Sequence, residues 1–531
     1  MDFIRGVLRR IAIQLAMPVI GSFLHIGCGS DYAPTAPGGS NGVTLSDTDV
    51  QVLVTQAVEQ AQRLNTPVVI AVTDRAGNIL AVYSMTGTQG SVWDVNVGAV
   101  PKARTAAYLS SNQHGFTSIT ACYITRSHFP PGVANTPGGP LYGVPFSSVG
   151  GGDVQPNNST PPGQAGNGQQ GLTGVPGGVP IFKNNTLVGG LGVSSFGTVG
   201  RLPASFLSDC GAGIPIADET IALGAVIGYQ VPPDKRGDTI LLDGVRLLYQ
   251  IASTPAGNFT LAPATLSNLG TFDPNYPTAS PITFPDQGAV DLGDGQHVYT
   301  VQGGQVLSPA DVQTIINQAV AQATNTRAAI RRPLNSPARV FISVVDVDGT
   351  ILGIWRISDA TLFSYDVSAQ KARTVVAFSD PSNQMGAQIR QVLGLPMTQD
   401  LAVTTRTVGF LSQRFFPPGI DQPTDGSSVQ TGPLFVADPI LPLNDYRWQQ
   451  NLGLSPLGNG ITIFPGGIPL YKNGLLAGGI GVSGDGVDQD DYIAAAGATG
   501  FEPPANIRVD QFFYQNVRLP YVKFPRNPDI N

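Results

Sequence analysis

Two lysine–arginine pairs carry the side chains best suited to binding an anion. Lys102 and Arg104 lie in the first half of the chain, and Lys371 and Arg373 lie in an equivalent Lys-Ala-Arg-Thr stretch of the second half. Arginine binds carboxylates through two parallel hydrogen bonds. Residues two apart do not share a helix face, so one member could bind a ligand carboxylate while the other pairs with an acidic neighbour. A surface helix with ordinary salt bridges would give the same pattern, and both interpretations stay open.

Serines end the strand before a predicted helix in both halves, as Ser194-Ser195 and Ser483-Gly484. A helix start with free amides can bind an anion. The same serines are suited to capping the helix, which is the simpler interpretation. No GxSxG or GxGxxG lies between a predicted strand and a predicted helix, and the chain contains no HExxH or Walker sequence. The sequence therefore nominates no catalytic residue and no enzyme class.

A glycine-rich stretch that occurs twice organises the rest of the chain. Pro176–Ser195 and Pro465–Gly484 are identical at twelve of 20 positions. Each predicts a β-hairpin, because Asn473-Gly474, and less strongly Asn184-Asn185, tolerate the positive φ of a type I′ turn. The glycines after each turn leave a strand with little side-chain bulk. We therefore expect a helix or a ligand to approach that backbone closely.

The segments around the hairpin also occur twice, in one order. The first half predicts a capped helix from Ser46, strands 67–73 and 78–84, a helix 101–108, a strand-like segment 120–125, a closing helix 218–228 and a strand 239–251. The second half predicts a helix from Ser308, strands 340–346 and 350–356, the helix of Lys371, a closing helix 490–500 and a strand 517–521. Such a long period indicates duplicated domains. The fold class is therefore α+β, with two mainly antiparallel sheets and packed helices arranged as an internal pseudo-dimer.

Composition limits the partners of the chain. Its 531 residues suffice for two or more domains, and 12% of them are charged. The net charge is −7, and the sequence shows no basic cluster outside the amino terminus. We therefore do not expect nucleic acid as a partner.

The amino terminus predicts export. Residues 1–27 combine three arginines with an interrupted apolar run that is short for a membrane span, which is typical of a signal peptide. Gly27-Cys28 resembles a bacterial lipoprotein box, so Cys28 is the predicted lipidation site; plain secretion with an incidental cysteine is the alternative. We expect an extracytoplasmic protein, in the bacterial periplasm or on the outer membrane or cell surface, that touches the membrane through its lipid anchor.

Two further cysteines, Cys122 and Cys210, lie in the first half. In an oxidising compartment they are expected to form a disulfide, with two separate buried thiols as the alternative. The predicted organisation is a signal peptide at 1–27, a flexible tether at 28–42, a first domain at 43–251 with a mobile insert at about 153–175, a linker at 252–305 and a second domain at 306–531.

Four motifs together resemble the GlcG/HbpS-like haem-degrading family. They are the Lys-Ala-Arg-Thr helix, the Asp-x-x-Gly strand turn, the Pro-Gly-Gly-Val-Pro hairpin and the Gly-Val-Ser-Gly loop before an acidic helix. The combination covers most of both halves. The resemblance implies a profilin-like sheet in each domain, oligomerisation, haem binding in some members and small-carboxylate metabolism in others. The chain departs from the family in its Pro-rich inserts and in a second domain without histidine.

Haem requires an axial ligand, an apolar slot and cationic groups for its carboxylates. Under the resemblance, His114 in the loop after the first Lys-Ala-Arg-Thr helix is the candidate metal ligand, and Met385 occupies the equivalent loop of the second half. An exposed and tolerant loop position is the alternative for both, as packing beside Phe129 is for His128. His297, in the predicted linker, is expected to be solvated. The predicted haem-binding residues are His114, His128, Lys102, Arg104, Lys371, Arg373 and Met385.

Three functions stay open. The first is an exported, lipid-anchored haem-binding protein for uptake, storage or sensing. The second is a non-enzymatic structural or interaction module of the cell envelope with a vestigial ligand site. The third is a small-carboxylate binder or enzyme acting through Lys102 and Arg104. The expected partners are haem or a small carboxylate, together with a second copy of the chain or an envelope protein.

Overall fold

The computed structural model describes most of both repeated halves. The described residues are 43–88, 98–144, 172–195, 210, 216–277, 295–413, 415–419, 421, 431–435 and 459–523. The predicted signal peptide, Cys28, the tether and residues 153–171 of the predicted insert lie outside them. Within the described ranges, no helix combines the length and the apolar character needed to cross a membrane.

The two halves contain matching elements in matching order. The first half contains α1 (Asp47–Arg63), β1 (Val69–Asp74), β2 (Ile79–Met85), α2 (Val100–Leu109), α3 (Ser118–Thr125), β3 (Gly178–Lys183), β4 (Thr186–Ser194), α4 (Ala217–Ala225), β5 (Leu241–Leu242) and β6 (Val245–Arg246). Between the halves lie α5 (Leu266–Leu269), β7 (Gly270–Phe272) and β8 (Gly295–Tyr299). The second half contains α6 (Pro309–Asn325), β9 (Val340–Val345), β10 (Ile351–Ile357), α7 (Phe363–Ser379), α8 (Gln384–Val392), α9 (Thr405–Leu411), β11 (Gly467–Lys472), β12 (Leu475–Gly484), α10 (Val487–Gly497), β13 (Phe513–Tyr514) and β14 (Val517–Arg518).

Each half is built on a five-stranded antiparallel sheet. The strand orders are β3-β4-β1-β2-β7 and β11-β12-β9-β10-β8. The predicted glycine-rich hairpins form β3–β4 and β11–β12, and their turns carry positive φ at Asn184, Asn185, Asn473 and Gly474. The α+β class with two repeated antiparallel sheets is therefore confirmed.

The glycines of β4 and β12 lie directly under a helix. A Cβ atom at Gly190 would lie 2.1 Å from the carbonyl oxygen of Ala103 in α2. A Cβ atom at Gly479 would lie 2.3 Å from the carbonyl oxygen of Ala372 in α7. The sequence left open whether a helix or a ligand approaches these strands. It is the helix of the Lys-Ala-Arg-Thr motif, and glycine is required because the two backbones touch.

Local sequence sets the start of the first helix in each half. The Ser46 side chain accepts a hydrogen bond from the Asp49 amide, and the Asp49 side chain accepts one from the Ser46 amide. Ser308 and Asp311 form the same reciprocal pair at α6. Each pair satisfies donors that the helix itself cannot satisfy.

Each half has its own apolar core, and a third cluster joins them. The first core lies between α1, α4 and the first sheet, and the second core lies between the equivalent elements. The joining cluster packs Tyr108 and Phe116 of the first half with Phe341 and Phe363 of the second. Because this contact buries aromatic side chains from both halves, it supplies the hydrophobic interface of the predicted internal pseudo-dimer.

Two elements of the first half differ from the sequence prediction. Residues 120–125 were predicted as strand-like from their β-branched side chains, but they lie in α3, because Thr117 caps that helix and donates to the Tyr249 carbonyl at 2.6 Å. Residues 239–251 were predicted as one strand, but they form the short β5–β6 hairpin around Asp243-Gly244. Both turn residues have positive φ, and Asp-Gly is itself a hairpin signal.

The segment between the halves is more than a connection. Strand β7 pairs with β2, and β8 pairs with β10, so the predicted linker completes the edge of each sheet. His297 lies in β8 and stacks edge-on against Trp355 at 4.7 Å, and burial lowers its pKa. His297 is therefore half-buried, rather than solvated as the sequence suggested. The exact domain boundaries stay predictions.

Candidate functional site

The first Lys-Ala-Arg-Thr helix uses its lysine inside the fold. Lys102 is fully buried, and its ammonium donates to Asp218 Oδ2 and to the Val193 carbonyl, both at 2.7 Å. Ser195 donates to the other carboxylate oxygen of Asp218. Because the N-cap of α4 is Ile216, Ser195 does not cap that helix. The lysine thereby ties α2 to β4 and α4, with its charge matched by a hydrogen-bonded partner.

The second half repeats this pair with one change. Lys371 donates to Asp490 Oδ2 at 2.8 Å and to the Val482 carbonyl at 2.7 Å. Gly484 stands where the first half has Ser195, and Asp490 Oδ1 has no hydrogen-bond partner among the described residues. Burial raises the pKa of Asp490 to about 7, although Lys371 opposes the rise. Burial likewise lowers the pKa of Lys371.

The arginines of the two motifs hold the strand turns. Arg104 Nε donates to the Gly77 carbonyl at 3.1 Å, and Arg373 Nε donates to the Gly349 carbonyl at 2.8 Å. Arg373 also donates to Asn459 Oδ1 at 2.9 Å. Both side chains are buried, and burial lowers the pKa of Arg104. These contacts lock each motif helix onto the turn between the two central strands.

His114 is enclosed rather than presented to a ligand. It is buried, its Nε2 lies 3.0 Å from the Leu109 carbonyl, and its Nδ1 lies 3.0 Å from Ser111 Oγ. Because a carbonyl can only accept, Nε2 donates and Nδ1 accepts from the serine. Burial, with the nearby charge of Arg331, lowers the pKa of His114 to about 3. The imidazole is neutral and internally bonded, so the prediction of an available axial ligand here does not fit the structure.

His128 is the candidate that lies nearer the surface, with 20% of its side chain exposed. Its Nδ1 lies 2.8 Å from the Thr136 carbonyl and donates to it. Its Nε2 lies 2.9 Å from Asp421 Oδ2, which also accepts from the Asn135 amide at 3.0 Å. The histidine thus belongs to a contact between the two halves, beyond the packing with Phe129 that the sequence suggested.

Met385 is a core residue and is not presented to a ligand. Met385 lies in the first turn of α8, which Asn383 caps, and its side chain is part of the second core. The predicted equivalence with the loop of His114 was therefore wrong, because the second half has a helix at this point.

Cys122 and Cys210 form a disulfide. It attaches residue 210 to α3.

A charged network between the halves was missed by the sequence reasoning. Arg331 bonds to Asp485 and, at 3.0 Å, to Asp359 Oδ2, and it donates to Gln113 at 2.9 Å. Arg75 of the first half bonds Asp359 Oδ1 at 2.9 Å. Burial opposes ionisation of Asp359, but the two arginines outweigh it and lower its pKa. The partners lie up to 284 positions apart in sequence, so no local pattern identifies them.

These positions can be tested against the needs of haem. The carboxylates of haem need accessible cations, and its iron needs a donor atom that is not committed to the protein. The Lys102, Arg104, Lys371 and Arg373 side chains are buried and bonded to protein oxygens, so they do not fit the carboxylates. His128 comes nearest to meeting the second need: its Nδ1 donates to a backbone carbonyl, and its Nε2 is held by one side chain, Asp421 at 2.9 Å, which would have to release it.

Both halves match one family model. The model is described as "Haem degrading protein HbpS-like" and matches residues 45–199 and 307–499, together more than half of the chain. Among solved structures, a PduOC–haem complex is 21% identical with a TM-score of 0.22, and it covers 36% of this chain and 99% of that one. Protein ORFY of Klebsiella pneumoniae is also 21% identical, with a TM-score of 0.22 and coverage of 38% and 94%.

Curated relatives include two corrinoid adenosyltransferases PduO. The protein of Citrobacter freundii is 28% identical over 170 residues, which are 32% of this chain and 34% of the relative. The protein of Salmonella typhimurium is 24% identical over 169 residues, with the same shares. The chain thus spans about a third of the length of these relatives. On the match in both halves, the chain belongs to the HbpS-like family of haem-degrading proteins, as a tandem duplication of its domain.

Proposed function

We propose that the chain is an exported, lipid-anchored protein that binds haem for uptake, storage or sensing. The observation that carries the proposal is the match of both halves to a family described as haem-degrading. The signal-like residues 1–27 and the following Cys28 support export and anchoring.

His128 is the residue that would hold the iron. Its Nδ1–H bond to the Thr136 carbonyl fixes the ring in the way that orients many metal-binding histidines. Coordination through Nε2 requires that ring nitrogen to leave Asp421, whose carboxylate keeps its bond from the Asn135 amide. Bound haem would supply an iron centre able to take a nitrogen ligand. The protein supplies that nitrogen, its orientation and a carboxylate beside it.

A haem titration of the full chain tests this proposal. We expect a Soret band that saturates with added haem, and a His128→Ala variant that loses or shifts it. His114→Ala is the matched control, because that ring is enclosed by Leu109 and Ser111 and should leave the Soret position unchanged. A Soret band that is unchanged in His128→Ala, or lost in a folded His114→Ala, would contradict the assignment.

A second candidate is an envelope interaction module whose ligand site is vestigial. It is favoured by the burial of all four motif cations against protein oxygens. Under this alternative the wild-type chain gives no saturable Soret band, and an envelope protein co-purifies with it. The titration therefore separates the two candidates.

A further inference from the structure

The loop before β9 differs from its counterpart in the first half in both length and charge. Residues 64–68 join α1 to β1, whereas residues 326–339 join α6 to β9. The longer loop contains four arginines and no aspartate or glutamate, in a chain of net charge −7. The sequence reasoning missed this cluster because only Arg331 and Arg332 are adjacent, and uncharged residues separate the other two arginines from them. A concentration of positive charge attracts anions.

This loop is held firmly to the rest of the protein. Arg331 at its centre is buried between Asp485 and Asp359. The Ala329 amide donates to the Asp485 carbonyl at 3.0 Å, and the Arg339 amide donates to Asp485 Oδ2 at 2.7 Å. One acidic residue thus fixes both sides of the loop. Any site in the loop is therefore preorganised, which lowers the cost of binding.

A pocket of about 140 Å³ lies in this loop at the end of α6. The residues that line it are Thr324, Asn325, Thr326, Arg327, Asn335 and Pro337. Arg327 is the charged member, so no carboxylate lines the pocket. Since a water occupies about 30 Å³ in the liquid, the space holds a carboxylate or phosphate group but not a tetrapyrrole.

Arg327 has an unmet hydrogen-bonding need. Its Nε–H is shielded from solvent and has no acceptor among the described residues. A buried donor without an acceptor costs free energy, and the cost is larger when the donor belongs to a charged group such as a guanidinium. The two threonine hydroxyls of the pocket already have acceptors in α6: Thr324 donates to the Ala321 carbonyl, and Thr326 donates to the Gln322 carbonyl.

We propose that Arg327 is the centre of a binding site for a small oxyanion, a carboxylate or a phosphate group. The guanidinium supplies charge and paired donors that match an oxyanion. Thr324, Asn325 and Asn335 are exposed, so the remainder of a larger ligand extends into solvent. This site is separate from His128 and does not depend on haem binding.

Ligand-observed NMR of the full chain tests the site. The probes are ¹³C-labelled acetate and inorganic phosphate, each titrated at constant ionic strength, which separates the two chemistries. We expect saturable line broadening with a Kd on the order of 1 mM, as the few heavy atoms of these probes allow. Arg327→Gln should weaken binding of the preferred probe at least tenfold.

The matched control is Arg332→Gln, because Arg332 is exposed in the same loop and does not line the pocket. It should bind the probe within twofold of the wild type. Arg327→Lys keeps the charge but loses the paired donors, and should bind several-fold more weakly; it also serves if the glutamine variant does not fold. No saturable broadening in the wild type, or equal weakening in Arg327→Gln and Arg332→Gln, would overturn the proposal. The haem titration should be unchanged in every one of these variants.

Discussion

The two buried lysine–aspartate pairs are the same contact in two states of completion. In the first half, Asp218 receives Lys102 on one oxygen and Ser195 on the other. In the second half, Asp490 receives Lys371 on one oxygen, and its other oxygen has no partner in the described part of the chain. Burial, with the nearby charge of Asp485, raises the pKa of Asp490 to about 7, against the opposing effects of Lys371 and the Gly484 amide.

The comparison shows which part of the family motif is structural. The lysine, its carbonyl acceptor and its aspartate are present in both halves, and they join the motif helix to the glycine-rich strand and the closing helix. The second hydrogen bond to the aspartate is present in one half. The duplicated lysines therefore serve the fold in both halves.

The largest effect is expected where helix and glycine strand touch. Gly190→Ala and Gly479→Ala place a methyl group 2.1 Å and 2.3 Å from a helix carbonyl oxygen. Each should lower the free energy of unfolding by about 3 kcal/mol or more, because two backbones would have to separate. Chemical denaturation with urea would measure the loss.

Matched controls lie at Gly228 and Gly500, which occupy equivalent positions with positive φ and nothing within 4 Å of an added Cβ. Alanine there should cost about 1 kcal/mol, from the backbone conformation alone. A loss at Gly190 or Gly479 no larger than these controls would break the equivalence of the two helix–strand contacts.

Removing the buried lysine should have a different effect on stability in the two halves. Lys102→Met leaves a buried carboxylate without its cation and should cost about 3–5 kcal/mol. In Lys371→Met, Asp490 can become neutral by binding a proton, since its pKa is already raised to about 7. A raised pKa means that the folded chain holds a proton that the unfolded chain releases, so stability falls as pH rises through that pKa.

The cost of Lys371→Met should therefore be smaller at pH 6 than at pH 8, as measured by urea unfolding at both values. Lys102→Met is the control, in which the Ser195 hydroxyl still donates to the remaining carboxylate. An equal, pH-independent loss in both variants would show that the difference between the two aspartates has no energetic consequence.

The smallest effect on stability is expected when the first half loses the one hydroxyl that the second half lacks. Ser195→Ala removes the hydroxyl that donates to Asp218 Oδ1 and leaves that oxygen as unpartnered as the one in Asp490. A hydrogen bond to a charged group is worth about 1.5–3 kcal/mol, so the loss of stability should fall in that range. Urea unfolding would measure the loss. An unchanged free energy of unfolding would contradict the view that this second hydrogen bond makes the first pair the more complete one.

Much of the fold followed from local sequence. Ser46 and Ser308 set their helices through neighbours three residues away, and Asn473-Gly474 sets its turn within two residues. The site did not follow in this way. The Lys102 ammonium pairs with an aspartate 116 positions later in the chain. The residue type alone therefore suggested a cation for a ligand, because the sequence does not identify so distant a partner.

Two errors have a related cause. His114 and Met385 were paired because they follow equivalent helices, yet the second half continues into α8 at that point. His128 could be identified as a candidate from its type, but its contact with Asp421 depends on how the two halves pack. Contacts between halves depend on three-dimensional packing, which single residues and their spacing do not encode.

The most direct test of the account is a crystal structure of the haem-loaded chain with anomalous scattering recorded at the iron edge. We expect the iron peak beside His128 Nε2, with Lys102 and Lys371 still bonded to Asp218 and Asp490. An iron peak beside His114 or Met385, or a motif lysine turned away from its aspartate toward a haem carboxylate, would contradict it.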